Sequence, residues 1–465
     1  MKSKLQNLKH QTPNTNHGIT LVALIITIIV LLILAMVSIR LVMNGGIIDR
    51  AERGTQAYTE SEIQEQIKLA YNEWQTARWD GTSGASASEF MQGRLRTALN
   101  DNGLTVTGEN GTFTVELSSG KQYSFNASTG TTAKVKTIAE YPAATPGTAT
   151  TENSKYTSNG KTAVIPAGYT VDATQNSIDN GLVIAKDGNE WVWIPVSNED
   201  FSAMFGTATD DGWTMSGTDV KTKYKSLGGR ISDSNGSITR GNPGTTDWRE
   251  PDVLNDDSYD KNTTNLSAAG LGANLSEMAT NLKNDYKNMM DSIKKNGGFY
   301  VGRYELSNAG TKKNQPSLVY TNWYNLYAKC KTLGDESTTY SRMIWGCQWD
   351  QVCKFISTSG DQVSLTDSST YGNYSNSQAP ANTGNYEQGV KKNTGSNEAW
   401  KANNIYDLAG NCWELTQEAF SAGLRAYRGG YCGYNGVYNP VTGRNNLGPT
   451  NTGSNVSSRP TLYIK

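Results

Sequence analysis

Histidine occurs only as His10 and His17, both ahead of the first apolar run, so loss of that leading segment leaves none. Without histidine there is no Ser-His-Asp or Cys-His catalytic arrangement and no His-ligated metal site. The five cysteines are Cys330, Cys347, Cys353, Cys412 and Cys432, and no C-x-x-C pair is among them. That argues against a zinc or redox motif, and the odd count and low density argue against a disulfide framework. They read as small buried or surface thiols. Asp407, Asn411 and Glu414 crowd around Trp413 and read as a buried polar knot that fixes loops, because Asp and Asn favour turns that bond their own backbone. Gly410 and the pair Gly429-Gly430 permit backbone conformations closed to other residues. No cofactor is expected, although a structural calcium on Asp407 or Asn411 oxygens is compatible with these residue types.

Residues 421–458 differ in kind from the rest. The stretch is rich in Tyr, Asn, Ser, Gly, Thr and Arg and has no Lys, Glu, Gln, Met, Trp, Asp, Phe or Ile, whereas the loop 358–398 includes Gln, Glu, Lys and Asp. Tyr supplies contact area at small entropic cost, and Ser, Gly and Asn supply adaptable hydrogen bonds, as in antibody loops. The candidate ligand-binding residues are Tyr431, Cys432, Tyr434, Asn435, Val437, Tyr438, Asn439, Arg444, Asn445, Asn446 and Asn451. Asn411, Trp413, Glu414, Arg428, Gly429, Gly430 and Arg459 are the expected scaffold.

The elements that must carry these residues follow from patterning. The chain of 465 residues is long enough for two or three domains, and its net charge of −1 gives no field that would draw it to nucleic acid. After a polar, lysine-bearing segment, residues 19–39 run 21 positions without a charge, the length of a membrane-spanning helix. The lysines ahead of it predict a cytoplasmic N-terminus and an extracytoplasmic C-terminal domain at the cell surface. Ile63, Ile67, Ala70 and Trp74 then mark one face of a polar helix, followed by a short helix over 87–98. Strands are predicted at 104–107, 112–117 and 122–126, with hairpin turns at Glu109-Asn110-Gly111 and Ser119-Gly120. Residues 139–160 read as a flexible linker. In 161–465 strands are predicted at 181–184, 190–195 and 298–303, and helices at 275–294, 321–333 and 347–356, with long polar loops between them.

Three resemblances add to this reading. Gly18 followed by ITLVALIITIIVLLILA resembles a type IV prepilin processing site. It implies a leader over 1–18, cleavage by a prepilin peptidase, a mature start at Ile19, a transmembrane helix over 19–43 and a pilin-like helix and small sheet over 44–138. Ala23 stands where the family usually carries Glu, and other pilin subunits are implied partners. The segments GFYVGRYE (298–305), Asn322-Trp323, Ala328-Lys329-Cys330, IYDLAGNCWELT (405–416), Arg428-Gly429-Gly430 and Ser458-Arg459-Pro460 resemble the formylglycine-generating enzyme family in their order. That implies a C-type-lectin-like fold over 161–465. The family's two copper-binding cysteines would fall at Tyr434 and Asn439, so no enzymatic activity is expected, and a membrane-anchored oxidase or a minor pilin with a tip adhesin are the competing readings. Finally, randomising the adenines of an AAC or AAT codon never yields Lys, Glu, Gln, Met or Trp. The composition of 421–458 therefore resembles the variable region of proteins diversified by retroelements. The expected fold class is α+β, with a transmembrane pilin-like helix and small antiparallel sheet ahead of the lectin-like domain. The expected function is a membrane-anchored surface protein that binds an extracellular protein or glycan.

Overall fold

The structure is a computed structural model that describes residues 48–109, 111–205, 230–231, 238–239, 263–378, 388–421 and 424–465. The chain divides into two compact units that meet at Lys136 and Thr137.

In the first unit the polar helix α1 (Ile48–Trp79) buries Ile63, Ile67 and Ala70, the stripe the spacing predicts, while Trp74 is half-buried. Helix α2 (Ala87–Ala98) starts at a capping box: the Ser86 hydroxyl accepts from the Glu89 N–H at 3.3 Å, and the Glu89 carboxylate accepts from the Ser86 N–H at 3.1 Å. Both helices share a core with an antiparallel meander of β1 (Thr105–Glu109), β2 (Thr112–Glu116), β3 (Gln122–Asn126) and β4 (Thr131–Val135). Alternation places Val106, Phe113, Val115, Tyr123 and Phe125 inward. Strand β4 has no apolar alternation to announce it. It forms through backbone pairing to β3 and through an ion pair of Lys134 with Glu60 on α1 at 2.9 Å.

Two expectations require correction. Among the described residues, no helix is long and apolar enough to cross a membrane. The described residues thus form an α+β fold with largely antiparallel sheets and include no transmembrane pilin-like helix, and the expected membrane-anchored localisation is not supported. The helix that is described, α1, carries charged side chains along its length, which are costly in hydrocarbon. Gly18, Ile19 and the apolar run 19–39 lie outside the described residues.

The second unit is built on a six-stranded sheet in the order β13 (Thr339–Met343), β20 (Pro460–Ile464), β12 (Gly298–Gly302), β9 (Asn189–Pro195), β8 (Val183–Lys186) and β7 (Thr170–Val171). Both faces are buried. Trp191, Trp193, Tyr300, Leu462 and Ile464 face one core, and Val192, Ile194, Phe299, Val301 and Tyr463 face the other. The first core is closed by the hairpin β5 (Ser154–Ser158) and β6 (Lys161–Ile165). Residues 139–160 thus do not act as a tether: Tyr141 is buried, the Thr150 hydroxyl donates to the Pro166 carbonyl at 2.7 Å, and the Ala144 and Lys155 N–H groups bond across to Lys155 and Pro142. A polar composition concealed this order, because backbone pairing rather than apolar burial fixes the segment.

The second core packs α5 (Leu275–Asn296), α6 (Trp323–Lys331) and α7 (Gly346–Thr358), with the shorter α3 (Asn198–Phe205) and α4 (Thr263–Ala268) beside them. Asn274 caps the start of α5, and Gly297, at φ 71°, ends it. Short pairs join β10 (Arg230–Ile231) to β11 (Ile238–Thr239) and β14 (Lys401–Ala402) to β15 (Ile405–Tyr406). A four-stranded sheet carries the C-terminal region in the order β18 (Arg444–Leu447), β17 (Leu424–Arg428), β16 (Trp413–Ser421) and β19 (Val456–Ser458), with β16 and β19 parallel.

Ile67 sits fully buried between α1, α2 and the meander. Ile67→Ala is expected to cost about 2–5 kcal/mol, read as a lower urea midpoint for the transition reported by Trp74 and Trp79 fluorescence.

Candidate functional site

Arg459 lies between β19 and β20, where the chain passes from the four-stranded sheet into the six-stranded one. Its guanidinium is fully buried and grips the Glu414 carboxylate on β16 from two nitrogens, at 2.5 and 2.9 Å, and donates to the Gly302 and Tyr406 carbonyls at 2.9 Å each. Glu305 and Asp407 are buried in the same region. Asp407, at φ 52°, accepts from Thr394 Oγ1 at 3.0 Å and from the Gly395 N–H at 2.7 Å. Asn411, at φ 55°, accepts from the Lys392 N–H at 2.9 Å and from Asn373 at 3.0 Å, and its amide donates to Glu305 at 2.6 Å. Glu305 also accepts from Ser317 and from the Cys412 N–H at 2.9 Å. The polar knot therefore exists, but Asp407 and Asn411 tie distant loops together rather than bonding their own turns. Their oxygens already accept hydrogen bonds, and among the described residues no group of three His, Cys, Asp or Glu side chains is placed to hold a metal ion.

One guanidinium faces three carboxyls here, and burial dominates their protonation. It pushes Asp407 up to about 6 and, against the pull of Arg459, Glu414 up to about 7. Burial, with repulsion from Asp407 and Glu414, holds Glu305 well above the usual range. The buried thiols of Cys412 and Cys432 are raised too, with Cys412 well above its ordinary value, which makes both weak nucleophiles. All five cysteines are buried and none is in a disulfide.

A second buried network lies under the C-terminal stretch. Arg428 pairs with Asp350 at 2.7 Å and with Glu418 at 3.4 Å, and Glu418 takes Arg444 at 2.8 Å. Two cations thus face two carboxylates. The turn after Arg428 is packed too tightly for side chains. A Cβ on Gly429, at φ 91°, would meet the Leu408 carbonyl at 2.7 Å, and one on Gly430, at φ 77°, would meet the Asn439 carbonyl at 2.4 Å. The Tyr374 hydroxyl donates to the Gly429 carbonyl at 2.6 Å, and Trp349 Nε1 donates to the Val441 carbonyl at 2.9 Å.

On this frame the stretch 431–451 alternates between inward and outward residues. Tyr434 (42 % exposed), Val437 (47 %) and Tyr438 (77 %) stand outward. Asn445 and Asn451 are exposed, and Tyr431, Asn435, Asn439 and Asn446 are half-buried. Trp413 lies beneath as a buried aromatic floor, with Tyr427 at 4.5 Å and Tyr434 at 6.1 Å, and Tyr431 packs on Tyr434 at 4.5 Å. Two candidate contact residues are misplaced by the sequence reading. Cys432 and Arg444 are each only 5 % exposed, and Arg444 is a strut of the ion-pair network. Conversely, Tyr427 was missed, although its alternation with buried Ala426 along β17 points it to the open face. Asp350 and Glu418, which pair with Arg428, and Glu305, which accepts from Asn411, were also missed, because nothing local marks an acid that bonds across the fold.

No protein-family model matches the chain, and no curated protein does either. Among solved structures, Treponema denticola variable protein 1 is similar at 14 % identity, over 67 % of this chain and 99 % of that one, with a TM-score of 0.22. A likeness at that score carries no weight for fold or function.

The buried acids set a pH response. Their values in the folded chain lie above those in the unfolded chain, so the native state holds protons that the unfolded chain releases. Their stabilising contribution is complete below about pH 4 and is lost as pH rises through about 6 and 7 for Asp407 and Glu414. Glu305→Gln, which removes an acid that burial holds well above its ordinary range, should flatten the fall in melting temperature as pH rises above about 5. Arg428→Met takes the guanidinium away from the buried Asp350 and Glu418 and should cost about 3–5 kcal/mol in chemical denaturation.

Proposed function

We propose that the second unit is a ligand-binding module whose contact residues are the exchangeable Tyr and Asn side chains of the C-terminal stretch, diversified at adenine-bearing codons by a retroelement. The observation that carries this reading is the outward display of Tyr434, Val437 and Tyr438 beside a buried, ion-paired frame. Side chains that make few internal contacts can change without loss of the fold, since surface substitutions usually stay within about 0.5 kcal/mol. Side chains in the Arg428 and Arg459 networks cannot. The same stretch has the composition that adenine randomisation of Asn codons allows. Tyr427, Tyr431 and Tyr434 form an aromatic cluster over the buried Trp413, of the residue type that recognition loops use.

Sequencing the 3′ coding region across a population, with its flanking DNA, tests the proposal. Replacements should cluster at Tyr431, Tyr434, Asn435, Tyr438, Asn445 and Asn451 and spare Arg428, Gly429, Gly430, Arg444 and Arg459. A near-copy of the segment differing at adenines should lie nearby, with a reverse transcriptase gene. Replacements spread evenly over buried and exposed positions would sink the idea. In the purified protein, Tyr438→Ser should leave the melting temperature within about 2 °C of the native value.

A further inference from the structure

Tyr320 lies outside the C-terminal stretch, yet its ring is 72 % exposed. It adopts a left-handed backbone, φ 57°, that favours Gly or Asn and strains a bulky residue. The Tyr320 N–H donates to the Gly453 carbonyl at 2.9 Å. The Lys391 ammonium stands 5.9 Å from the ring centroid and donates to the Ser454 carbonyl at 2.6 Å. The neighbouring Trp413 N–H donates to the Asn455 carbonyl at 2.8 Å, and Trp413 underlies Tyr434. A chain of contacts therefore runs from the Tyr434 surface through residues 453–455 to Tyr320 and Lys391.

We propose that Tyr320 and Lys391 form a constant edge of the ligand-binding surface and take an acidic side chain of a protein partner; this rests on the reading of the stretch given above. Lys391 pairs with no carboxylate among the described residues. The arginines of the adjacent stretch, Arg425, Arg428 and Arg444, are buried, so Lys391 supplies the cation at this edge. A carboxylate there gains the ammonium, and its aliphatic stem covers the exposed Tyr320 ring. A protein is favoured over a glycan because Val437 projects beside Tyr438 from a turn in which the Asn435 side chain accepts from the Val437 N–H at 2.8 Å. A projecting aliphatic group suits an apolar protein surface rather than sugar hydroxyls. Residues at 320 and 391 lie outside the diversified codons and would hold the partner class while the stretch sets the individual partner.

A random peptide library displayed on phage, selected on the full chain, supplies the probe, with hyaluronate oligosaccharides as a parallel arm. Enriched peptides should carry Asp or Glu, and their affinity should fall about tenfold for Tyr320→Asn and Lys391→Gln, and further for Lys391→Glu. Tyr320→Asn suits the left-handed backbone, so it tests the ring rather than the fold. Peptides weakened by Tyr434→Ser and Tyr438→Ser but indifferent to Tyr320→Asn and Lys391→Gln would overturn the constant edge alone. Peptides indifferent to all four changes would overturn the binding surface as well. Absence of acidic enrichment would overturn the carboxylate contact, and binding of the oligosaccharide in place of peptides through Tyr320 and Lys391 would overturn the protein partner.

Discussion

The second unit depends on the fully buried pairing of Arg459 with Glu414. Arg459 occupies the single position between β19 in one sheet and β20 in the other. Its remaining N–H groups reach the Gly302 carbonyl on β12 and the Tyr406 carbonyl on β15. One side chain thereby fixes where the two sheets meet. A buried ion pair adds little net stability over an apolar substitute, but loss of one partner strands a charge in the interior. The pairing consequently specifies the arrangement more than it strengthens it. The surplus acids nearby, Asp407 and Glu305, are used as acceptors that draw residues 394–395, 411–412 and 317 onto the same point.

The same device recurs beneath the C-terminal stretch. Asp350 on α7 and Glu418 on β16 hold Arg428 and Arg444, so β17 and β18 are clamped at their ends nearest the turn. Gly429 and Gly430 let that turn pass against Leu408, Trp349 and Tyr374 where no side chain fits. The chain from Tyr431 to Asn451 is pinned at both ends and at Val441 in its middle, and Tyr434, Val437, Tyr438, Asn445 and Asn451 project outward between buried neighbours. A frame of this type leaves stability in buried pairs and glycines and leaves the proposed recognition to Tyr and Asn side chains that project from it.

Some elements were legible from residue types alone. The 63–67–70 stripe, the helices over 87–98 and 275–294 and the strands at 190–195 and 298–303 were legible because their apolar periodicity is local and strong. Strand β4 and the 139–160 segment were not, because both are polar and are ordered by pairing to neighbours distant in sequence. The membrane-anchored arrangement failed for a different reason. It rested on residues 19–39, which lie outside the described residues, while the described helix α1 is charged along its length.

By itself, the sequence determined that no histidine chemistry is open to the chain beyond residue 17, that the region after Arg428 is a Tyr- and Asn-rich stretch without acids, and that glycines and turn-forming Asp and Asn bracket it. Those statements follow from which atoms are present and which backbone angles they permit. Only the tertiary structure decided which members of the stretch face outward. Arg444 and Cys432 carry side chains as suited to recognition as those of Tyr434 and Asn445. Their fate turns on whether Glu418 and the Asn411 loop lie within reach, and those partners are distant in the chain. Ion pairs and packing between remote segments have no local signature, so the division between frame and face exists only once the sheets have closed around Arg459.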